Sequence, residues 1–497
     1  MSNAPSKRIS VIGGGITGLS SAHRVIELAA GKCQPIDVTL FEASDRAGGV
    51  AGTRRIGDYL VETGADSFIT NKPGAIRLCE RIGLADELIS TETEFRGSLV
   101  LRKGQPLPVP DGFMLLSPAK VWPILKSPIF SPLGKLRMGM EFFVPRRKAA
   151  SGEGLPDESL AAFVRRRFGE EALERIVQPL VGGIYTSDPE KLSLAATMPR
   201  FLNMEAEYRS LIVATRKQAA KQVAAKTQAE QHGSGARYGL FATLRGGVSD
   251  LLARLRSRLE ESATVRFESA VESISRNADG SLTIQTAFDA SVCDAVVLAT
   301  PAYVSARLLS GLADHESKID ELKSHLEAIE YASTAIVVSG HRLSDIAHSL
   351  DSFGLVIPAA EKRKVLAVSF SSRKFPGRAP DGSVLLRSFV GGAMQPELLE
   401  LNDAEICRTV SDELSEILGV SGEPDFMEVV RWNRAMPQYH LGHVQRVDRI
   451  FELAELLPGI ELAGNAYRGV GLPDCITSAE EAAERVMALS SQQSNVG

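Results

Sequence analysis

Arg8-Ile9-Ser10-Val11-Ile12, Gly13-Gly14-Gly15-Ile16-Thr17-Gly18, a run from Leu19 to Leu28, Val38-Thr39-Leu40-Phe41 and then Glu42 follow one another near the start of the chain. The order is buried strand, glycine turn, helix, second strand and acid, which a dinucleotide-binding βαβ unit requires. Gly13 suits a tight exit from the strand. Gly15 lets a pyrophosphate approach the backbone, and Gly18 lets the helix pack closely. Gly14, Ile16 and Thr17 complete a turn whose amides and helix dipole favour phosphate. Glu42 lies 29 residues past Gly13. There a carboxylate can accept from ribose hydroxyls and would repel a 2′-phosphate, which argues against NADP.

At 497 residues and 44% hydrophobic, the chain is long enough for two or three domains with real cores. A net charge of −5 offers no basic field for nucleic acid. Cys33, Cys79, Cys293, Cys407 and Cys475 are dispersed without a C-x-x-C pair, which suits a reducing compartment and neither zinc nor a disulfide framework. Met1 to Lys7 lacks the apolar core of a signal peptide, and no apolar run reaches bilayer length. The expected location is cytoplasmic, with peripheral contact at the inner face of the membrane left open. No metal-ligand spacing occurs among the histidines; His440 and His443 read as structural or surface residues.

Past Glu42-Ala43 the chain continues Arg46-Ala47-Gly48-Gly49-Val50, then Glu62-Thr63-Gly64-Ala65-Asp66-Ser67-Phe68. Gly49 and Val50 suit a backbone passing close to a cofactor. Arg46 either pairs with a phosphate or caps its own loop, the first being favoured. With Gly-Gly-Gly-Ile-Thr-Gly-Leu, these stretches resemble the FAD-dependent porphyrinogen oxidases, a family that includes coproporphyrinogen III oxidases and oxygen-dependent protoporphyrinogen oxidases. Monoamine oxidases and phytoene desaturases are wider kin. The resemblance runs to the C-terminus.

It implies an α/β fold: an FAD-binding Rossmann-like domain, a substrate domain built on an antiparallel sheet, and a helical subdomain. The expected division is 1–90, 238–312 and 430–497 for FAD, 91–205 for the helical part, 206–237 for an exposed polar helix and loose loop, and 313–429 for the substrate sheet. Helices are expected over 74–89, from Phe241 through Leu259 and from Ser478 to Leu489, and a hairpin over 99–109. Residues 114–144 break into short apolar helices closed by Pro145-Arg146-Arg147-Lys148. That segment is either a solvated subdomain edge or a face for an anionic membrane.

Within the resemblance, Val271 meets adenine through its backbone, the turn Gly64 to Ser67 lies near the flavin ring, and Trp432 is assigned to the flavin. Gly464, Val470, Gly471 and Leu472 belong to a second strand, glycine turn and helix start, placed under the ring. The implied cofactor is FAD, bound non-covalently. The implied reaction is a six-electron oxidation of a porphyrinogen by O₂, coproporphyrinogen III preferred and protoporphyrinogen IX the alternative. Hydride passes to the flavin, so no protein acid or base is assigned. Lys72 and Arg96 are candidates for gripping a propionate. A ferrochelatase-type haem-synthesis enzyme is an open partner. Two remoter readings are another flavin amine oxidase or desaturase and a non-catalytic FAD-bound interaction protein.

Overall fold

The structure is a computed structural model that describes residues 6–110, 113–114, 117–118, 121–147, 156–220, 239–312 and 316–493. The fold is α/β. A five-stranded sheet runs in the order Thr264–Arg266, Ile36–Phe41, Lys7–Ile12, Ala295–Leu298 and Ile460–Leu462. Every neighbouring pair in it is parallel. Its two central strands are buried over Ile9–Ile12 and Ala295–Leu298 because both faces of the sheet are covered. On one face lie the first helix, Ile16–Gly31, and the last, Leu472–Gln493. Leu19, Val25, Leu251, Ala483 and Val486 fill that core, and Ser21 Oγ donates to the Ala479 carbonyl at 3.0 Å. The other face carries three helices that the sequence reading passed over: Ala302–Leu309, Glu316–Glu327 and His443–Ala454.

The second sheet has seven strands, ordered Phe426–Pro437, Tyr331–Arg342, Ser383–Gly391, Ala367–Phe370, Gly354–Val356, Leu99–Arg102 and Gln105–Pro108. It is mixed, not wholly antiparallel: Leu355 and Val356 pair in parallel with Leu99 and Val100. The hairpin grouped by sequence with the helical segment is therefore part of this sheet. Helix Asp403–Leu418 covers one face and begins with an Asn402/Glu405 capping box.

Other expectations shift locally. The helix expected over 74–89 stops at Arg81, and Gly83 follows at φ 77°. Phe241–Leu244 is a strand, and the helix after it starts at Val248. The last helix starts at Leu472, six residues before Ser478. The exposed helix expected beyond 205 breaks at Arg209, φ 64°. It resumes over 211–220 with Leu211, Ile212 and Ala214 buried, because that stretch closes the helical core. The loose loop expected at 233–235, and Lys148 of the basic cluster, lie outside the described residues.

That helical core is filled by Ile129, Phe163, Ile176 and Phe201. At its edge Arg167 is fully buried against Glu141, which also accepts from Ser210 Oγ at 2.5 Å and the Leu211 amide at 2.8 Å.

Candidate functional site

A cleft of about 790 Å³ opens where the parallel sheet, the large sheet and the helical part meet. One end is built by the first glycine turn. Gly13 sits at φ 107°, a conformation L side chains avoid. A Cβ on Gly18 would lie 1.8 Å from the Gly13 carbonyl oxygen, so this glycine is needed for close approach within the turn itself. A Cβ on Gly15 would meet no protein atom within 4 Å; the position opens onto the cleft, as a backbone cradle for a ligand should. The helix that starts there has no side-chain cap and no acid in its first turn, so its first amides are available to an anion. Ile16 and Thr17 line the cleft beside Gly13 and Gly15, whereas Gly14 and Gly18 lie behind that surface.

Glu42 ends the adjacent strand and faces the same end. One oxygen accepts from the Gly14 amide at 2.5 Å; the other accepts from the Ser44 amide and hydroxyl at 2.8 and 2.7 Å. Ala43, Gly49 and Val50 continue this wall, and Val271 lies across from it. Arg46 does not. Its guanidinium donates to the carbonyls of Gly49, Ala47 and Ala51 at 2.6, 3.3 and 3.2 Å, so it caps its own loop.

The far end is built by the C-terminal turn. Gly464, Val470, Gly471 and Leu472 line it and lead into the last helix. Tyr439 holds this turn: its hydroxyl donates to the Asn465 carbonyl at 2.6 Å and accepts from the Gly469 amide at 2.8 Å. The Tyr439 ring stacks on His443 at 4.0 Å, and His443 Nε2 lies 2.9 Å from the Tyr467 carbonyl oxygen. Burial pushes the His443 imidazole down to about 4, so it supports the loop as a neutral ring. Nothing local to the sequence Met436-Pro437-Gln438-Tyr439 reveals that its tyrosine ties together a turn nearly thirty residues on.

Of the turn at Gly64, Ala65 and Ser67 line the cleft, and Gly64 and Asp66 do not. A Cβ on Gly64 would fall 1.9 Å from the Val50 carbonyl oxygen. Asp66 pairs with Lys374 at 3.0 Å and Arg387 at 3.3 Å. Burial opposes its charge, yet those two cations hold its carboxyl well below the usual range. Asp66 thus rivets the turn to the large sheet. Trp432 donates its indole N–H to the Thr63 carbonyl at 2.8 Å. Its ring lines both this cleft and a smaller cavity of about 560 Å³.

Lys72 reaches the cleft, paired with Asp474 in the first turn of the last helix. Arg96 is exposed and is not among the cleft-lining residues. Arg307, Arg434 and Arg468 line the cleft instead. Arg434 has φ 46° beside a register shift between Ala332 and Thr334, and its amide donates to Ser333 Oγ at 2.9 Å. This irregularity turns its guanidinium over the Tyr303 ring, 4.0 Å from the centroid. No sequence pattern marks a bulge of this kind in advance. Tyr185, from the helical part, also faces in; burial and then the nearby Asp474 charge push its phenol up to about 12.

Known proteins resemble the chain over nearly its whole length. The family described as flavin containing amine oxidoreductase matches residues 16–487. A coproporphyrinogen III oxidase of Bacillus subtilis (strain 168) is 33% identical over 481 residues, covering 96% of this chain and 97% of that protein. A mitochondrial protoporphyrinogen oxidase of Nicotiana tabacum is 28% identical, covering 98% and 95%. A crystal structure from Exiguobacterium sp. 255-15, provisionally named a protoporphyrinogen oxidase, superposes with a TM-score of 0.83 at 28% identity, covering 98% of this chain and all of that one.

Proposed function

The chain belongs to the flavin containing amine oxidoreductases, and we propose that it oxidises coproporphyrinogen III to coproporphyrin III with O₂ in haem biosynthesis. Its cofactor is a flavin; our finer reading is FAD without a covalent link. The observation that carries the proposal is the opening of two helix N-termini, at Ile16 and Leu472, onto one cleft. A dinucleotide with a ring at its far end can use both.

In this reading the amides after Gly13 take the pyrophosphate, Glu42 takes a ribose hydroxyl, and the Val271 backbone meets adenine. Ala65, Ser67, Trp432 and Val470 to Leu472 surround the ring end. The flavin, when bound, supplies hydride acceptance from a methylene bridge and reoxidation by O₂ to hydrogen peroxide. Pyrrole N–H groups can release the protons, so the chain's part is to position and to exclude water. The amides at the start of the last helix, at Leu472, would favour negative charge on a cofactor held there. Cys475 is the cysteine within that turn, and burial pushes its thiol up to about 12. A thiol so disfavoured as thiolate supports a non-covalent cofactor.

Porphyrinogens present propionate carboxylates around an apolar ring. Arg434, Arg468 and Lys72 supply the cations such arms need. The higher identity to the Bacillus protein than to the tobacco one favours the four-propionate substrate over protoporphyrinogen IX. Oxidation of both compounds by the purified, yellow protein, followed by porphyrin fluorescence, tests this. Faster turnover of coproporphyrinogen III is expected. Failure on both refutes the enzyme, and preference for protoporphyrinogen IX reverses the substrate order.

A further inference from the structure

Behind the cleft wall at the Gly64 turn lies more positive charge than the turn needs to be fastened. Asp66 takes two cations, Lys374 at 3.0 Å and Arg387 at 3.3 Å. Lys374 ends the short helix Ser371–Lys374, and Arg387 comes from the strand Ser383–Gly391. One cation per carboxylate would hold the joint. Arg387 is buried, donates to the Gly64 carbonyl as well, and its Nε finds no acceptor among the described residues. Arg378, beyond them, is offset by Glu62 at 3.9 Å and, more weakly, by Asp250. On the side of the cluster next to the cleft, one positive charge is therefore unbalanced. Burying such a charge is costly, and proteins break rules of this kind chiefly at functional sites.

Lys374 stands directly behind the wall. Its Nζ donates to Ser67 Oγ at 2.9 Å and lies 5.3 Å from the centroid of the Phe241 ring. Ser67 and Phe241 both line the cleft, and Lys374 does not. Ser67 in turn donates to Asp66 Oδ1 at 2.7 Å, so its hydroxyl is held in one orientation. The cation thus reaches the cleft through one hydroxyl and one ring. In the reading proposed above this wall belongs to the ring end of the cofactor, and the inference rests on that reading. Hydride acceptance, two electrons with one proton, adds one negative charge there. A fixed cation in a site shielded from water favours that charge.

We propose that Lys374 is a positioning residue that raises the reduction potential of the bound flavin from behind Ser67 and Phe241. A unit charge acting across roughly 10 Å of protein changes an equilibrium constant about tenfold, which is about 30 mV for a two-electron couple. Anaerobic titration of the flavin-loaded chain against a redox dye reads this without any porphyrinogen. Lys374→Met should lower the midpoint potential by about 30 mV, and Lys374→Arg should keep the wild-type value. Asp66→Asn, which leaves a second cation unbalanced, should raise it. Shifts of the same sign in Lys374→Met and Asp66→Asn would mean a loosened turn and overturn the proposal, as would equal potentials in wild type and Lys374→Met. Ala65→Leu, on the same wall, should lower flavin loading. Equal potentials beside that loss would refute the role of Lys374 alone; equal potentials without it would also remove the ring from this wall.

Discussion

Lys72 Nζ lies 2.6 and 2.8 Å from the two carboxylate oxygens of Asp474, although 402 residues separate them. The pair bridges the segment after the Gly64 turn to the first turn of the last helix. In the proposed enzyme a substrate propionate competes with Asp474 for this lysine. Lys72→Met should therefore raise KM for coproporphyrinogen III about fivefold with kcat little changed, and Asp474→Asn should lower KM. The pair is partly solvated, so its loss should move stability by at most about 1 kcal/mol. Steady-state kinetics on both variants decide it; KM shifts of the same sign would exclude the competition.

The opening turn offers a sharper separation of folding from binding. At Gly15 an added methyl meets no protein atom within 4 Å, whereas at Gly18 it meets the Gly13 carbonyl oxygen at 1.8 Å. Gly15→Ala should fold with an unchanged apo-protein melting profile and purify colourless. Gly18→Ala should lose roughly 1–3 kcal/mol of stability from forced overlap. Absorbance near the flavin bands and thermal melts of the apo forms test both. A fully loaded Gly15→Ala protein would remove this turn from the cofactor site.

The strand, glycine turn and helix start at Gly13 and again at Gly464 are legible in the sequence because each is a local device. Strand, turn and helix start are contiguous in sequence, and their residue types follow from backbone geometry. Arg46 is ambiguous in sequence for a related reason: a guanidinium beside two glycines suits a phosphate or its own loop carbonyls equally well, and the structure shows it on the carbonyls. What stayed hidden depends on distant partners. Asp66 faces Lys374 and Arg387 across the chain, so its charge serves the joint between sheets and not the cleft. Arg434 reaches the cleft through a strand irregularity opposite Ser333, and Arg96 misses it because the segment before the hairpin runs along the outside.

The buried pair in the helical part was equally invisible, since neither Glu141 nor Arg167 stands in a recognisable pattern. Both are fully inaccessible to solvent. Arg167 also donates to the Val144 carbonyl at 3.2 Å, and Glu141 satisfies the Leu211 amide. Removing one partner leaves the other charged and buried, so Arg167→Ala should cost about 3–5 kcal/mol. Because the contacts are confined to the helical part, chemical denaturation should show that part loosening while flavin absorbance is retained at low denaturant. A loss under 1 kcal/mol would mean that water replaces the guanidinium.

Glu62 supplies a pH dependence with a definite sign. It ends a strand under the large sheet and accepts from Thr53 Oγ1 at 2.7 Å and the Val248 amide at 3.0 Å. Burial pushes its carboxyl from 4.5 up to about 7, only partly offset by those bonds and Arg378. Between these values the folded protein holds a proton that the unfolded chain has released. Folding stability from this group is therefore complete below about pH 4.5 and declines until about pH 7, by about 3 kcal/mol in total. Buried His443, pushed down to about 4, acts oppositely and loses stability as pH falls below about 6.5, so the wild-type profile alone mixes the two. Glu62→Gln isolates the first, because an amide mimics the protonated acid at every pH. The stability of wild type minus that of Glu62→Gln should fall by about 3 kcal/mol as pH rises from 4.5 to 7. Urea denaturation across that range measures the difference, and two parallel curves would show that Glu62 is ionised throughout.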